Sequence, residues 1–255
     1  MFYSNKLNQF NNIKHCFFSK KNGFSKGIYK SLNCSPGSND KKENIKKNLG
    51  LVSKKMDIKK EDLILMYQTH SNKVFVIDKE SQKNKKIIAD ALVTKLKGLA
   101  IGVLTADCVP IILYDEINQI IGCIHAGWKG VISGVIENTL NKFKEINNNN
   151  NKISAAIGPC IGNESYEVSL EFYDNFLKDS EINKKFFSKK NNEKFLFNLR
   201  GYVNNKLSSC GVINIDNIDV DTFKDEDTFF SYRRSKKLGE PDYGRCISTI
   251  SLIKN

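Results

Sequence analysis

The sequence has few of the residues on which several classes of protein depend. Its 255 residues include 4 prolines and 3 histidines, and no uninterrupted apolar run reaches the ~18 residues of a membrane-spanning helix. The amino-terminal stretch MFYSNKLNQFNNIKHCFF has neither the basic-then-apolar layout nor the cleavage site of a signal peptide. The 7 cysteines are odd in number and scattered, which argues against a disulfide framework. We therefore expect a cytoplasmic protein with reduced thiols and no membrane span.

The charge is strongly positive, but it comes almost entirely from lysine. The net charge is +12, and the lysines are dispersed rather than clustered, so we expect solvated faces and no nucleic-acid partner. Arginine occurs at only four positions, and three of these, Arg233, Arg234 and Arg245, lie within YRRSKKLGEPDYGR. Lysine cannot replace arginine at a site where the guanidinium binds an oxyanion through two parallel hydrogen bonds. The cluster therefore predicts either an anion site or a structural group of ion pairs.

Apolar periodicity predicts runs of strands with helices between the runs. Helices are expected over 43–56, 169–179 and 199–211 and, from the 3–4 spacing of apolar residues, after residue 131. The predicted strands cover 63–70, 73–78, 87–94, 99–106, 109–115, 119–126, 153–162, 214–223 and 246–253. KESQKNKK, at 79–86, is a predicted polar loop. This order indicates an α+β fold in one domain, residues 1–255, with a mixed sheet rather than a regular βαβ arrangement.

One cysteine and two histidines fall at the ends of predicted strands. If 109–115 and 119–125 form a hairpin that pairs residue 113 with residue 120, Cys108 lies opposite His125. His70 ends the strand LILMYQTH in the same manner. Two imidazoles and a thiolate suit a catalytic Zn²⁺ with an open fourth position. The same residues also fit a nucleophile pair in which His125 deprotonates Cys108, or simple core packing. Cys123, within an apolar strand, is interpreted as core.

Six motifs resemble one known family over nearly the whole chain. QTHS, ADALVT, LTADCVPIILYD, HAGWKG, AAIGPCIGNESYEV and FFSYRR…GEPDYGR together resemble the YfiH/PgeF family. Its members are zinc-dependent purine nucleoside phosphorylases, long labelled multicopper polyphenol oxidoreductases or laccases. The resemblance implies a sandwich fold distinct from the Rossmann topology, a monomer, and zinc held by His70, Cys108 and His125.

The resemblance also implies a reaction. Family members cleave adenosine, inosine and S-methyl-5′-thioadenosine with phosphate, and they deaminate adenosine as a second activity. We expect Cys108, Asp107 and His125 to act in catalysis, with Asp107 orienting an imidazole, serving as acid or base, or only bonding turn backbone. Of the adjacent arginines, Arg234 is expected to be structural. The residues expected to bind substrate or phosphate are Lys20, Asn33, Lys129, Arg233 and Arg245. The helix start at Gly130 is expected to be a second phosphate-binding site.

Two departures from the family pattern and two alternative functions bear on this expectation. Lys20 stands where the family has an arginine and loses its two-pronged donor. Asp221 stands where the family often has a cysteine, so no copper role of that cysteine applies here. The alternatives are a metal-free hydrolase using Cys108 and His125, and a copper-dependent polyphenol oxidase with Cu²⁺ in place of Zn²⁺.

Overall fold

A computed structural model describes residues 1–79, 82, 86–147 and 151–254 of the chain. The strands are β1 (Ile13–Phe17), β2 (Leu63–Ile64), β3 (Val74–Ile77), β4 (Ala91–Thr94), β5 (Ala100–Thr105), β6 (Val109–Asp115), β7 (Ile120–Ala126), β8 (Ile153–Ile157), β9 (Glu167–Ser169), β10 (Phe187–Lys189), β11 (Lys194–Phe197), β12 (Asn214–Asn217) and β13 (Cys246–Leu252). The helices are α1 (Lys42–Met56), α2 (Trp128–Ile132), α3 (Val135–Asn147), α4 (Leu170–Asp179), α5 (Leu199–Ser209) and α6 (Tyr232–Lys237). None of the described helices is both long and apolar enough to cross a bilayer.

Two mixed sheets form the centre of the molecule. The larger has the strand order β12-β8-β6-β7-β4-β3, and the smaller has the order β1-β13-β5-β2. Both contain parallel and antiparallel pairs. This arrangement confirms the predicted α+β class with a mixed-sheet sandwich.

The alternation of side chains along β6 shows why its sequence is apolar throughout. Ile111 and Leu113 face the helices, whereas Ile112 and Tyr114 face the smaller sheet, and all four are buried. A strand covered on both faces reads as a continuous apolar run rather than an alternating one.

Helices cover the outer faces of the sandwich. Val52 and Met56 of α1 pack on the smaller sheet, and the apolar stripe of α3, including Ile136, Leu140 and Phe143, packs on the larger one together with α5. The end of α5 agrees with the sequence prediction, because Gly211 follows it with a φ of 88° in the left-handed region.

An aromatic subdomain, β9–β11 with α4, flanks the larger sheet. The strands form a separate sheet of order β10-β11-β9. Phe172 and Phe176 of α4 contact Phe197 with ring centroids 5.3 and 4.8 Å apart, and Trp128 of α2 lies 4.7 Å from Phe172. This contact joins the subdomain to the end of β7, where the candidate site lies.

Several expectations about local structure were wrong. The strand expected over 63–70 ends at Ile64, so His70 lies in a loop. The predicted strands omitted β1, β9, β10 and β11, and the predicted helices omitted α6. These elements are short or irregular in apolar spacing, which leaves little periodicity to detect. Most of the loop predicted at 79–86 lies outside the described residues.

The hairpin β6–β7 has a different register from the one predicted. Asp115 pairs with Ile120 and Pro110 pairs with His125, so Cys108 lies just before β6 rather than opposite His125. The turn sets this register, because the carboxylate of Asp115 accepts the backbone N–H of Ile117 at 3.1 Å and closes a four-residue loop. The shift is two residues, which preserves the face to which each side chain points.

The buried side chain of His15 contacts the amino-terminal segment, and we expect this contact to be sensitive to acid. Its Nε2 accepts the backbone N–H of Ser4 at 2.9 Å, and burial, opposed by Asp216, lowers the His15 pKa from 6.5 to about 4. Between these two pH values His15 is protonated in the unfolded chain but neutral in the folded chain. The free energy of unfolding should therefore fall as pH drops from 6.5 towards 4, by at most about 1.4 kcal/mol per pH unit from this group.

Urea unfolding at several pH values measures this contribution. The variant His15→Gln keeps an acceptor for Ser4 but does not titrate, so its stability should depend less on pH in that window. Equal slopes for the two proteins would contradict the prediction.

Candidate metal centre and adjoining cavity

His70, Cys108 and His125 converge, although they come from three separate segments. One ligand atom from each lies within 4.8 Å of the others. Cys108 Sγ is 3.8 Å from His70 Nε2, and the two imidazole centroids are 4.6 Å apart. His125 projects from the end of β7, Cys108 lies between β5 and β6, and His70 has a φ of 58° in its loop. A left-handed conformation at a histidine is uncommon and is found where a site constrains the backbone.

Asp90 organises two of these three residues, and the sequence analysis did not identify it. Its carboxylate accepts His125 Nδ1 at 2.8 Å and the backbone N–H groups of His70 and Ser71 at 3.0 and 2.7 Å. Its backbone oxygen accepts the N–H of His125 at 2.8 Å. Because Nδ1 bonds to Asp90, Nε2 is the nitrogen of His125 that is left to face the site, as in a metal-ligating histidine. The sequence signal that could have identified Asp90 is a single acidic residue within the apolar stretch IIADALVT.

The electrostatics of the cluster favour a thiolate. Burial acts to raise the pKa of Cys108, but the imidazoles of His125 and His70 outweigh it and lower that pKa to about 6. Burial acts to lower the pKa of His125, but Cys108 and Asp90 outweigh it and raise that pKa to about 9. By contrast, burial raises the pKa of Cys160 to about 12 and that of Cys123 further still. Of these three, Cys108 alone is held in the form that binds a metal or attacks a substrate.

The donor set and the space around it fit a zinc ion. One sulfur and two nitrogens on a tetrahedral zinc lie about 3.5 Å apart, close to the 3.8 Å between Cys108 Sγ and His70 Nε2. Gly127 leaves room for the side chains of this cluster, because a Cβ there would lie 2.7 Å from His70 Cδ2 and 3.1 Å from Cys108 Sγ. The residues present could thus hold a metal with three protein ligands, which would leave a fourth position for substrate or water.

A cavity of about 350 Å³ opens beside the cluster. His70 and Cys108 form part of its wall. The other lining residues are mainly aromatic or apolar and include Trp128, Tyr166, Phe172, Tyr232, Ile161, Val168 and Leu199, with Arg233 at one side. Flat aromatic walls with a few polar groups suit a planar heterocycle.

The two adjacent arginines have different roles. Arg234 donates to the carbonyl oxygens of Thr222, Phe223 and Phe229, so it is structural as expected. Arg233 lies over the ring of Tyr166, 5.3 Å from its centroid, and donates through Nη1 to the carbonyl oxygen of Glu167. Among the described residues, its other guanidinium N–H groups have no protein partner. Arg233 therefore offers free donors to an anion in the cavity.

Asp107 is one of the residues that line this cavity, but it does not orient an imidazole. Its carboxylate accepts from Thr222, Ser231 and the backbone of Arg233, whereas Asp90 holds His125. The orienting role considered for Asp107 is therefore wrong. Burial raises its pKa despite these hydrogen bonds.

Arg245 and Asn33 are not among the residues that line the first cavity, and they contact each other. Asn33 is fully buried and its Oδ1 accepts the backbone N–H of Arg245 at 3.0 Å, while its amide donates to Ser38 and Asp40. Arg245 lines a second cavity of about 360 Å³ and stacks on Tyr243 at 4.1 Å. Arg245 and Arg233 thus line different cavities, and Asn33 holds the backbone of Arg245.

Lys20 and Lys129 are also outside the lining of the first cavity. The ammonium group of Lys20 lies 5.7 Å from the ring of Phe230, and that of Lys129 lies 5.5 Å from the ring of Trp128. Helix α2 begins at Trp128, so Gly130 lies in its first turn and is buried against the carbonyl of Ser71, and the phosphate site expected there stays a prediction. The binding roles predicted for the two lysines remain predictions.

Comparison with known proteins gives a consistent result. Residues 14–253 match the model of the family described as multi-copper polyphenol oxidoreductase laccase. The chain is 37% identical to a purine nucleoside phosphorylase of Rickettsia conorii, over 87% of this chain and 92% of that protein. It is 28% identical to the purine nucleoside phosphorylase YfiH of Escherichia coli, over 89% and 90%. A crystal structure of a Neisseria meningitidis protein superposes with a TM-score of 0.84 at 28% identity and covers 96% of both chains.

Proposed function

The chain belongs to the multi-copper polyphenol oxidoreductase laccase family, and within it we propose that this protein is a zinc-dependent purine nucleoside phosphorylase. Its substrates are adenosine, inosine and S-methyl-5′-thioadenosine, together with phosphate. The observation that carries the proposal is that one aromatic cavity is lined by His70 and Cys108 of the His70–Cys108–His125 cluster and by Arg233, which has free donors. The names of the similar phosphorylases support it.

The reaction needs an anion holder and a way to stabilise the departing base. An oxygen of phosphate attacks C1′ as the bond from C1′ to the purine nitrogen breaks, and the electron pair leaves with the purine. Arg233 would hold phosphate through its free guanidinium N–H groups, and Trp128 and Tyr232 would flank the flat base. His70, Cys108 and His125 would hold zinc, which supplies a Lewis acid to the site when bound. Asp90 keeps the Nε2 of His125 free for that role.

We assign adenosine deamination, the second activity, to the same cavity. There, water replaces the amino group of the purine ring and ammonia leaves. Because the same walls would orient the ring in both reactions, adenosine and inosine should compete for one site.

The test of the proposal is the dependence on phosphate. Adenine release from adenosine should require phosphate or arsenate, and with phosphate the second product should be ribose 1-phosphate. The physical reason is that Arg233 presents unpaired donors beside the cluster. Product analysis by chromatography, with and without phosphate, measures this. Equal adenine release without either anion would mean that water, not phosphate, attacks the sugar.

Arg233→Lys provides a sharper arm of this test. Lysine keeps the charge but lacks the two-pronged guanidinium donor. The KM for phosphate should therefore rise about tenfold or more while bound metal stays constant. Arg200→Lys is the matched control, because Arg200 donates to the carbonyls of Ile218 and Val220 and is not among the residues that line the cavity.

A second candidate function is a cysteine hydrolase. The observation that favours it is the lowered pKa of Cys108 beside the raised pKa of His125, the electrostatic state of a nucleophile paired with a base. In that case His70 has no necessary role. Copper-dependent polyphenol oxidation at the same three residues is the remaining alternative, for which the family description is the support.

The other proposed properties concern partners and location. We propose that the protein acts as a monomer in the cytoplasm and takes nucleosides and phosphate rather than nucleic acid.

A further inference from the structure

Asp107 has an unusual position between the candidate metal site and the candidate phosphate site. It directly precedes Cys108 in the chain, is 7% exposed, and has a φ of 86° in the left-handed region. A buried carboxylate in this backbone conformation is held there by its surroundings.

Both carboxylate oxygens of Asp107 are occupied by protein donors. Oδ1 accepts the hydroxyl of Thr222 at 2.8 Å. Oδ2 accepts the hydroxyl of Ser231 at 2.8 Å and the backbone N–H of Arg233 at 2.7 Å. An acid or base must exchange a proton with the substrate, whereas these oxygens are already engaged by three donors.

The three donors connect Asp107 to the element that carries Arg233. Ser231 caps α6, because its hydroxyl accepts the backbone N–H of Arg234 at 3.1 Å. The N–H of Arg233 is one of the unpaired donors of the first helical turn, and Asp107 satisfies it. The backbone oxygen of Asp107 also accepts the N–H of Ile161, another residue of the cavity wall. Asp107 thus joins the start of α6 to the Cys108 segment.

We propose that Asp107 is a positioning residue, which fixes Arg233 relative to the His70–Cys108–His125 cluster through hydrogen bonds and exchanges no proton with substrate. The proposal rests on the proposed function, because phosphate is assigned to Arg233. It predicts that Asp107 governs the affinity for phosphate rather than metal binding or proton transfer. A displacement of about 1 Å in a positioned group can cost about a hundredfold in rate.

Asparagine at position 107 separates positioning from acid–base chemistry. An asparagine oxygen in place of Oδ2 still accepts from Ser231 and Arg233, and its amide donates to Thr222, whose hydroxyl can accept instead. Asp107→Asn therefore retains the three contacts and loses the charge. Asp107→Ala loses all three contacts.

The experiment compares Asp107→Asn and Asp107→Ala with wild type by kcat, KM for phosphate, bound metal, and binding of inorganic phosphate followed by calorimetry. We expect Asp107→Ala to raise the KM and the dissociation constant for phosphate about tenfold or more with metal content unchanged. For Asp107→Asn, the KM and the dissociation constant for phosphate should both stay within about threefold of the wild-type values. Ser231→Ala, which removes one contact and the cap of α6, should also weaken phosphate binding and serves if Asp107→Ala does not fold.

The matched control is Asp115→Ala, at the far end of β6. Asp115 is also a buried carboxylate that accepts backbone N–H groups, so its loss should lower stability without changing the KM for phosphate. The proposal is overturned if Asp107→Asn abolishes turnover while phosphate still binds normally, since that result identifies an acid or base. It is also overturned if Asp107→Ala lowers the melting temperature but leaves phosphate affinity intact. Wild-type turnover that needs no phosphate would instead refute the proposed function.

Discussion

Removing metal with a chelator is expected to abolish nucleoside cleavage by this protein, and added zinc is expected to restore it. The reason is that one thiolate and two imidazoles converge within 4.8 Å of one another, and that two of these residues, His70 and Cys108, line the cavity. We expect about one zinc per chain and a loss of most bound metal on alanine substitution of His70, Cys108 or His125. Metal analysis of the purified variants, beside the adenine-release assay, measures both effects.

Cys123→Ala is the matched control for Cys108→Ala. Both cysteines belong to the β6–β7 region, but Cys123 packs between the two sheets with a raised pKa. Its loss should lower stability and leave the metal bound. Full zinc occupancy in folded Cys108→Ala would rule out this ligand set.

The same experiments separate the phosphorylase from the cysteine hydrolase. A hydrolase keeps its activity after chelation, keeps most turnover in His70→Ala, and forms a covalent adduct on Cys108 that mass spectrometry detects. A zinc-bound thiolate is protected from alkylation until the metal leaves, and His70 is then as necessary as His125. We expect the second pattern, because a nucleophile and base pair would leave the position of His70 without a function.

Loss of the Asp90 carboxylate is expected to weaken metal binding and stability together. The variant Asp90→Ala leaves the N–H groups of His70 and Ser71 without their acceptor and frees the Nδ1 of His125. Substitution of such partners of metal ligands typically costs 10–100-fold in metal affinity, and breaking a buried charged pair costs about 3–5 kcal/mol. Zinc competition titration and urea unfolding measure the two effects.

Asp90→Asn should fall between wild type and Asp90→Ala, since the amide keeps one acceptor oxygen. Asp115→Ala again serves as the control, because it should lower stability without changing zinc affinity. If Asp90→Ala binds zinc as tightly as wild type, Asp90 stabilises the loop around His70 but does not orient the ligands.

The relation of sequence to structure differs between the core and the site. The hairpin strands were predicted close to their observed bounds, and a helix was predicted where α3 lies, because burial of one face or of both leaves a period in the sequence. The cluster was predicted because Cys108 and His125 lie at the ends of the hairpin strands and because all three residues match the family motifs. The hairpin register was wrong, since hydrogen bonds within the turn at Asp115 decide it and apolar spacing does not reveal them.

The role of Asp90 and the separation of the arginines could not be read from sequence. Asp90 reaches His70 and His125 across 20 and 35 positions, and a hydrogen bond at such separation leaves no local pattern. Arg233 and Arg245 appeared as one cluster in sequence, but they line different cavities. Their placement depends on α6, a six-residue helix that Asp107 and Ser231 hold at its start.

By itself, the sequence determined the class of fold, the main strands and helices, and the three residues of the candidate metal site. The fold class and the elements follow from apolar periodicity, a local property of the chain, and the three residues follow from the motifs that resemble the family. Only the tertiary structure decided which carboxylate orients His125, which arginine faces the cavity, and what Asp107 contacts. Each of these depends on the packing of segments distant in sequence, where hydrogen-bond geometry at distances near 3 Å selects one partner among several of the same chemical type.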